Sequence, residues 1–70
     1  EGLGPRAELR VAQLAADGGA GGECVARCRR LLDRPGVDRA EVLATLGRGY
    51  EALRRYRQAA DCFAGHVPAE

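Results

Sequence analysis

Three cysteines and the single histidine are the residues of this sequence best suited to chemistry, and they form two pairs. Cys24 and Cys28 are four residues apart, as are Cys62 and His66. Residues at this spacing share one face of a helix, and thiolate and imidazole are the ligands that a structural zinc ion accepts. The spacing differs from the Cys-x2-Cys of a common zinc knuckle, and free cysteines are often simply buried. Core packing is therefore the favoured interpretation, and a zinc-stapled hairpin is the weaker alternative.

Two other parts of the sequence could carry out chemistry, but each lacks residues that the chemistry would need. His66 has no paired serine or aspartate and no oxyanion donor in the motif around it, which acid–base or nucleophilic catalysis would need. The glycine-rich segment 18–22 lacks the Gly-Lys-Ser/Thr ending of a phosphate-binding loop and follows a predicted helix, where such a loop would follow a strand. We therefore predict a non-enzymatic protein with no catalytic residues, no metal and no other cofactor.

A basic cluster, Arg54-Arg55-Tyr56-Arg57, places three guanidinium groups around one aromatic ring. Such a cluster could stack a base or bind a phosphate. The net charge of the chain is only +1, however, so no long-range field attracts nucleic acid or an anionic membrane. We expect Tyr56 to begin an apolar row on a helix, with the arginines as its solvated rim, and we expect no nucleic-acid partner.

Four helices are predicted from the periodicity of the apolar residues. Over residues 5–16, one row contains Leu9, Ala12 and Ala16 and an adjoining row contains Ala7, Val11, Leu14 and Ala15. Over residues 23–33, the apolar face contains Cys24, Val25, Cys28, Leu31 and Leu32, and the arginines are predicted to face solvent. The segment 17–22, with four glycines, is predicted to interrupt the helices as a long loop. Asp38 is predicted to cap the third helix, with Glu41 completing a capping box.

Small and large residues alternate in a specific order over residues 40–66. Leu43, Leu46, Gly47 and Tyr50 share one side of the third helix, and Ala59 and Phe63 share one side of the fourth. Because a glycine inside a helix costs about 1 kcal/mol relative to alanine, this order indicates close helix contact. The pattern resembles the tetratricopeptide repeat, whose signature has Leu-Gly, Tyr, Ala and Phe at these offsets. The resemblance departs from the family at Leu43, where the repeat often has tryptophan.

The resemblance implies an all-α fold in which two antiparallel helical hairpins stack as a short α-solenoid fragment. Residues 1–70 would form a single unit. In it, residues 38–67 form a near-consensus repeat and residues 5–33 a degenerate first hairpin, since Cys24 lies 35 residues before Ala59. Arrays of such repeats usually need about three units for stability. We therefore expect marginal stability, or association with further repeats or copies.

The resemblance also implies a protein-binding scaffold in which the first helix of each repeat lines a groove for a partner peptide or helix. The groove-facing residues would be Glu41, Ala44, Thr45, Arg48, Glu51 and Ala52. An alternative is a terminal assembly segment that buries the alanine-rich face of residues 5–16 against another copy or a neighbouring repeat. An odd number of cysteines favours the reducing cytoplasm, and no apolar run is long enough to predict membrane insertion.

The two glycines of the third helix carry different expectations. Gly47 lies in the repeat pattern, so Gly47→Leu is expected to destabilise the second hairpin by a few kcal/mol through overpacking. Gly49 lies outside the pattern, so Gly49→Ala is expected to be tolerated or even to stabilise the helix.

Overall fold

In the computed structural model, which describes residues 4–69, the chain forms four α-helices and no strand within that range. The helices are α1 (Pro5–Asp17), α2 (Gly21–Leu31), α3 (Arg39–Ala52) and α4 (Tyr56–Phe63). Each helix packs against the next along the chain, and α1 also contacts α3. The predicted all-α fold is therefore confirmed.

The turn between α1 and α2 is shorter than the sequence predicts. Pro5 occupies the start of α1, where its fixed φ suits a helix and its missing N–H costs nothing. Only residues 18–20 separate α1 from α2, and Gly19 takes the left-handed φ of +84°. The prediction of a loop over residues 17–22 is wrong, because Gly21 and Gly22 form the first turn of α2. Gly21 is buried against α3, where a Cβ would lie 2.6 Å from the Gly49 carbonyl oxygen.

The start of α3 matches its predicted cap. The side chain of Asp38 accepts a hydrogen bond of 2.9 Å from the backbone N–H of Ala40, which satisfies one of the free donors of the first turn. Glu41, predicted as the second member of a capping box, instead accepts a hydrogen bond of 3.3 Å from Gln13 of α1. The Glu41 carboxylate therefore joins α3 to α1.

The last helix is shorter than the sequence predicts. α4 ends at Phe63, Gly65 has a φ of +93°, and the chain continues to residue 69 without helix. His66 is therefore outside the helix, and its backbone N–H donates to the carbonyl of Asp61. The segment stays close to the hairpins, since Pro68 is buried.

Small and medium side chains from all four helices form the core. Its buried apolar members are Leu9, Ala12, Cys24, Cys28, Leu31, Val42, Leu43, Leu46, Tyr50, Ala59 and Cys62. Tyr50 is the largest of the fully buried side chains. In the second apolar row of α1, Ala15 packs against this core, whereas Leu14 is 57% exposed. None of the helices described over residues 4–69 is long and apolar enough to cross a membrane.

Candidate interaction surface

The three cysteines occupy packing positions in the core. All are buried free thiols, and the Cys24 thiol donates a hydrogen bond of 3.3 Å to the carbonyl oxygen of Thr45. The hydrogen bond with Cys24, together with burial, raises the pKa of the Cys28 thiol. Burial likewise raises the pKa of Cys62. A raised pKa disfavours the thiolate, which is the form that attacks substrates or binds metal.

The four residues considered as zinc ligands do not form a set. Because α4 ends at Phe63, Cys62 and His66 do not share a helical face, and His66 is exposed while Cys62 is buried. Within the described residues, no group of three or more histidine, cysteine, aspartate or glutamate side chains is arranged to hold a metal ion. The prediction that this pair lies on one helix is wrong.

Gly47 lies directly under the ring of Phe63. A Cβ at residue 47 would be 2.5 Å from the Phe63 ring, and no other side chain is as near. The ring covers Gly47 on one side and remains 52% exposed on the other. Ala59 is buried. Gly47 therefore meets the large Phe63 side chain, where the sequence order suggests the small Ala59, and Phe63 is only half covered.

Gly49 makes a second close contact, in this case with side chains of α2. A Cβ at this residue would lie 2.9 Å from Sγ and 3.1 Å from Cβ of Cys24, and 3.1 Å from Cγ2 of Val25. All three atoms belong to the buried side of α2, so little room exists for the neighbours to move. The space expected for Gly49→Ala is therefore absent, because a Cβ at residue 49 would meet side-chain atoms of α2.

The structure separates the predicted groove residues. Five are exposed: Glu41, Ala44, Arg48, Glu51 and Ala52. Thr45 is only 2% exposed, and its hydroxyl donates to the carbonyl of Glu41 and accepts from Gln13. Thr45 therefore does not line an open groove, although the sequence predicts that it does. It faces α1, which covers it where the two helices cross.

Arg48 already has a partner within the chain. Its guanidinium forms an ion pair with Asp17 at the end of α1. Both side chains are about half exposed, so the pair contributes little to stability and can be exchanged at small cost.

Arg29 joins three parts of the fold, although the sequence predicts it on the solvent side. Its Nε and Nη2 donate hydrogen bonds of 3.1 and 2.7 Å to the buried hydroxyl of Tyr50, and Nη2 also donates to the carbonyl of Pro68. The guanidinium carbon lies 6.0 Å from the centre of the Tyr50 ring. The contact fixes the C-terminal segment against α2 and α3.

Glu8 is a second charged residue that the sequence does not mark as buried. Its carboxylate lies within 3.5 Å of the guanidinium groups of Arg27, Arg30 and Arg34. One signal in the sequence could have identified it: Glu8 adjoins Leu9 on the buried side of α1, opposite an arginine-rich helix of similar length. This cluster holds α1 on α2.

A row of apolar side chains on the outer side of α4 is exposed. Tyr56 is 63% exposed, Ala60 is exposed and Phe63 is 52% exposed; we call these three residues the α4 row. Beside it, a cavity of about 370 Å³ lies between α3 and α4 and is lined by Leu43, Ala44 and Phe63. A second cavity of about 370 Å³ lies between α1 and the start of α3 and is more polar.

Comparison of this chain with family models, with curated proteins and with solved structures finds no match.

Proposed function

We propose that this chain is a non-enzymatic protein-interaction module whose α4 row binds an amphipathic helix. The supporting observation is the correspondence between α2 and α4 of the same chain. α2 starts at Gly21 and α4 starts at Tyr56, so equivalent residues of the two helices are 35 apart. The α4 row then corresponds to Gly21, Val25 and Cys28 of α2.

In the first hairpin, the equivalent row is covered by a helix. Gly21 lies against Ala52 of α3 and against Leu53, which follows the helix directly, and Val25 lies against Gly49. The same chain therefore shows what kind of element this type of surface accepts: a helix with small, uncharged residues where it approaches most closely. Nothing in the described residues covers the α4 row in the same way, so three apolar side chains are left for a partner.

The cavity beside the α4 row extends the binding surface onto α3. Leu43 forms its floor and is 5% exposed, and Ala44 stands at its edge. An exposed apolar strip with a concave side is typical of a helix-binding groove. Gly47 keeps this groove open, because a larger side chain there would displace the Phe63 ring.

The order of small and large side chains supports a repeat of the tetratricopeptide kind, and the buried free thiols support a reducing, cytoplasmic setting.

A second candidate site is the polar cavity between α1 and α3. Arg6 and Arg10 form one side of it, and Asp38 and Glu41 form the other. It would suit an extended peptide with charges of both signs, bound along the edge where Glu41 and Arg48 are exposed.

Selection from a displayed library of helical and extended peptides distinguishes the two sites. The affinity of each selected peptide is then measured for the wild type, for Ala60→Arg and for Arg48→Glu. Ala60→Arg should weaken binding at least about tenfold, because it places a charge in the centre of an apolar contact, whereas Arg48→Glu should leave it unchanged. Peptides that respond only to Arg48→Glu would bind along the exposed edge of α3 that contains Glu41 and Arg48, and they would contradict the proposal.

A further inference from the structure

We propose that the helix bound by the α4 row is α1 of a second copy of this chain, so that copies associate head to tail. This inference rests on the proposed function of the α4 row. Its basis is the pair of helix offsets: α1 and α3 start 34 residues apart, at Pro5 and Arg39, and α2 and α4 start 35 residues apart. Each contact between α2 and α3 therefore has an equivalent between α4 and α1 of a second copy.

At the equivalent positions, the small residue on one helix is replaced by a large one, and the large residues opposite it are replaced by small ones. Within the chain, the small Gly21 lies against the larger Ala52 and Leu53. The equivalent contact would place the large Tyr56 against Gly18 and Gly19. Tyr56 is 63% exposed, and the two glycines at the end of α1 are also exposed. A large side chain would fill the space that two missing side chains leave.

The closest point of the helix crossing shows the same compensation. Gly49 has no side chain because Cys24 and Val25 occupy the space in front of it. Its equivalent in α1 is Ala15, and the equivalents of Cys24 and Val25 are the smaller Ala59 and Ala60. Ala59 is already covered within its own hairpin, so the exposed Ala60 would make the contact. An alanine can therefore replace glycine on one side because the other side has become smaller.

The free face of α1 has the composition that this contact requires. Ala7, Val11 and Leu14 form its uncharged outer row, with the partly buried Ala15 at the edge of that row, and Leu14 is 57% exposed. Val11 is equivalent to Thr45, which is buried where α3 crosses the first hairpin. Val11 of the second copy would lie over Gly47 and Phe63 of the first. The apolar valine side chain suits that surface better than the hydroxyl of a threonine.

The ion pair between Arg48 and Asp17, at the edge of the helix contact, suggests a control variant for the test. Arg48 of α3 pairs with Asp17 of α1 within the chain. The equivalents are Leu14 of one copy and Glu51 of the other, and Glu51 is exposed. Replacing Leu14 with arginine would recreate the ion pair between copies, whereas arginine at Val11 would face the apolar surface around Phe63.

A contact between two different surfaces of the same protein does not close into a symmetric dimer. Each bound copy still presents a free α4 row at one end and a free α1 at the other, so association continues with concentration. Blocking either surface alone should therefore stop growth.

Sedimentation of the full chain over a range of concentrations tests the proposal. The wild type should associate, Val11→Arg and Ala60→Arg should each remain monomeric, and Leu14→Arg should still associate. The decisive sample is an equimolar mixture of Val11→Arg and Ala60→Arg. The first variant keeps an intact α4 row and the second an intact α1, so the mixture should form a 1:1 dimer and nothing larger.

Three results would overturn the proposal. They are a wild type that stays monomeric up to about 1 mM, where even weak association is visible, association of Val11→Arg or Ala60→Arg alone to the extent of the wild type, or a mixture of these two variants that stays monomeric. The proposed function fails separately, if peptides selected on the monomer do not respond to Ala60→Arg.

Discussion

Gly49 faces the Cys24 side chain so closely that a Cβ at residue 49 would lie 2.9 Å from the sulfur. The contact joins the two hairpins at the centre of the packing between α2 and α3. This contact explains why α3 contains a glycine at residue 49, although glycine weakens a helix. The stability of the whole fold therefore depends on this crossing.

Gly49→Ala is expected to destabilise the protein by about 1–3 kcal/mol through overpacking, even though alanine gains about 1 kcal/mol in helix propensity. Thermal or urea unfolding measures the change. The matched variant is Gly47→Ala, which meets only the far end of the half-exposed Phe63 side chain and should change stability less. Equal effects of the two alanines would contradict the assignment of the tight contact to Gly49. Gly47→Leu stays a prediction, with a loss of a few kcal/mol expected because Phe63 must move.

Glu8→Gln tests the cluster that holds α1 on α2. The change keeps the shape of the side chain but leaves three arginines without their shared carboxylate. Because those arginines are partly exposed, we expect a loss of about 1–2 kcal/mol, less than for a fully buried pair. Glu23→Gln is the control, since Glu23 is exposed and pairs only with Arg27 on the same helix, worth about 0.3–0.5 kcal/mol. A loss no larger than that of the control would contradict the role of Glu8.

Tyr50→Phe removes the hydroxyl that accepts two hydrogen bonds from Arg29. We expect a loss of about 1–2 kcal/mol and a looser C-terminal segment, because Arg29 also holds the carbonyl of Pro68. Hydrogen exchange and backbone relaxation of residues 64–69 measure the second effect. Tyr56→Phe should change neither, since Tyr56 lies on the surface. An unchanged segment in Tyr50→Phe would show that Arg29 does not depend on Tyr50 for its position.

Stability should fall at alkaline pH because of the buried Cys28 thiol. The pKa of Cys28 is raised in the folded protein, so above the ordinary thiol pKa of about 8.5 the unfolded chain loses a proton that the folded chain keeps. The contribution is complete below about pH 8.5 and declines as the pH rises above it. Urea unfolding at about pH 7.5 and 9.5 should show the decline in the wild type and a smaller one in Cys28→Ala. An identical decline in both would indicate that other groups are responsible.

The sequence predicts the parts of this fold that depend on local pattern. The apolar spacing predicts four helices, and Asp38 predicts the start of α3, because period and capping act within a few residues. The ends of α2 and α4 are less well predicted, since the packing of Gly21 on α3 extends one helix and Gly65 follows the end of the other.

The contacts between helices could not be predicted in the same way. The repeat pattern distinguishes Gly47 from Gly49, but only the structure shows that residue 47 faces Phe63 and that residue 49 faces Cys24 and Val25 of α2. The sequence predicts Arg29 on the solvent side, and no pattern in it marks Glu8 as buried, but each of the two has a long-range partner that makes burial favourable. Thr45 was placed in a groove by its offset in a repeat, whereas the position of α1 covers it.

The most direct test of the proposed interaction surface is a chemical-shift map of the labelled chain with a bound helical peptide obtained by selection. The largest shifts are expected at Ala44, Tyr56, Ala60 and Phe63, on the outer side of α3 and α4. Shifts concentrated at Arg6, Arg10, Gln13 and Glu41 would contradict it, because they would place the partner in the cavity between α1 and α3.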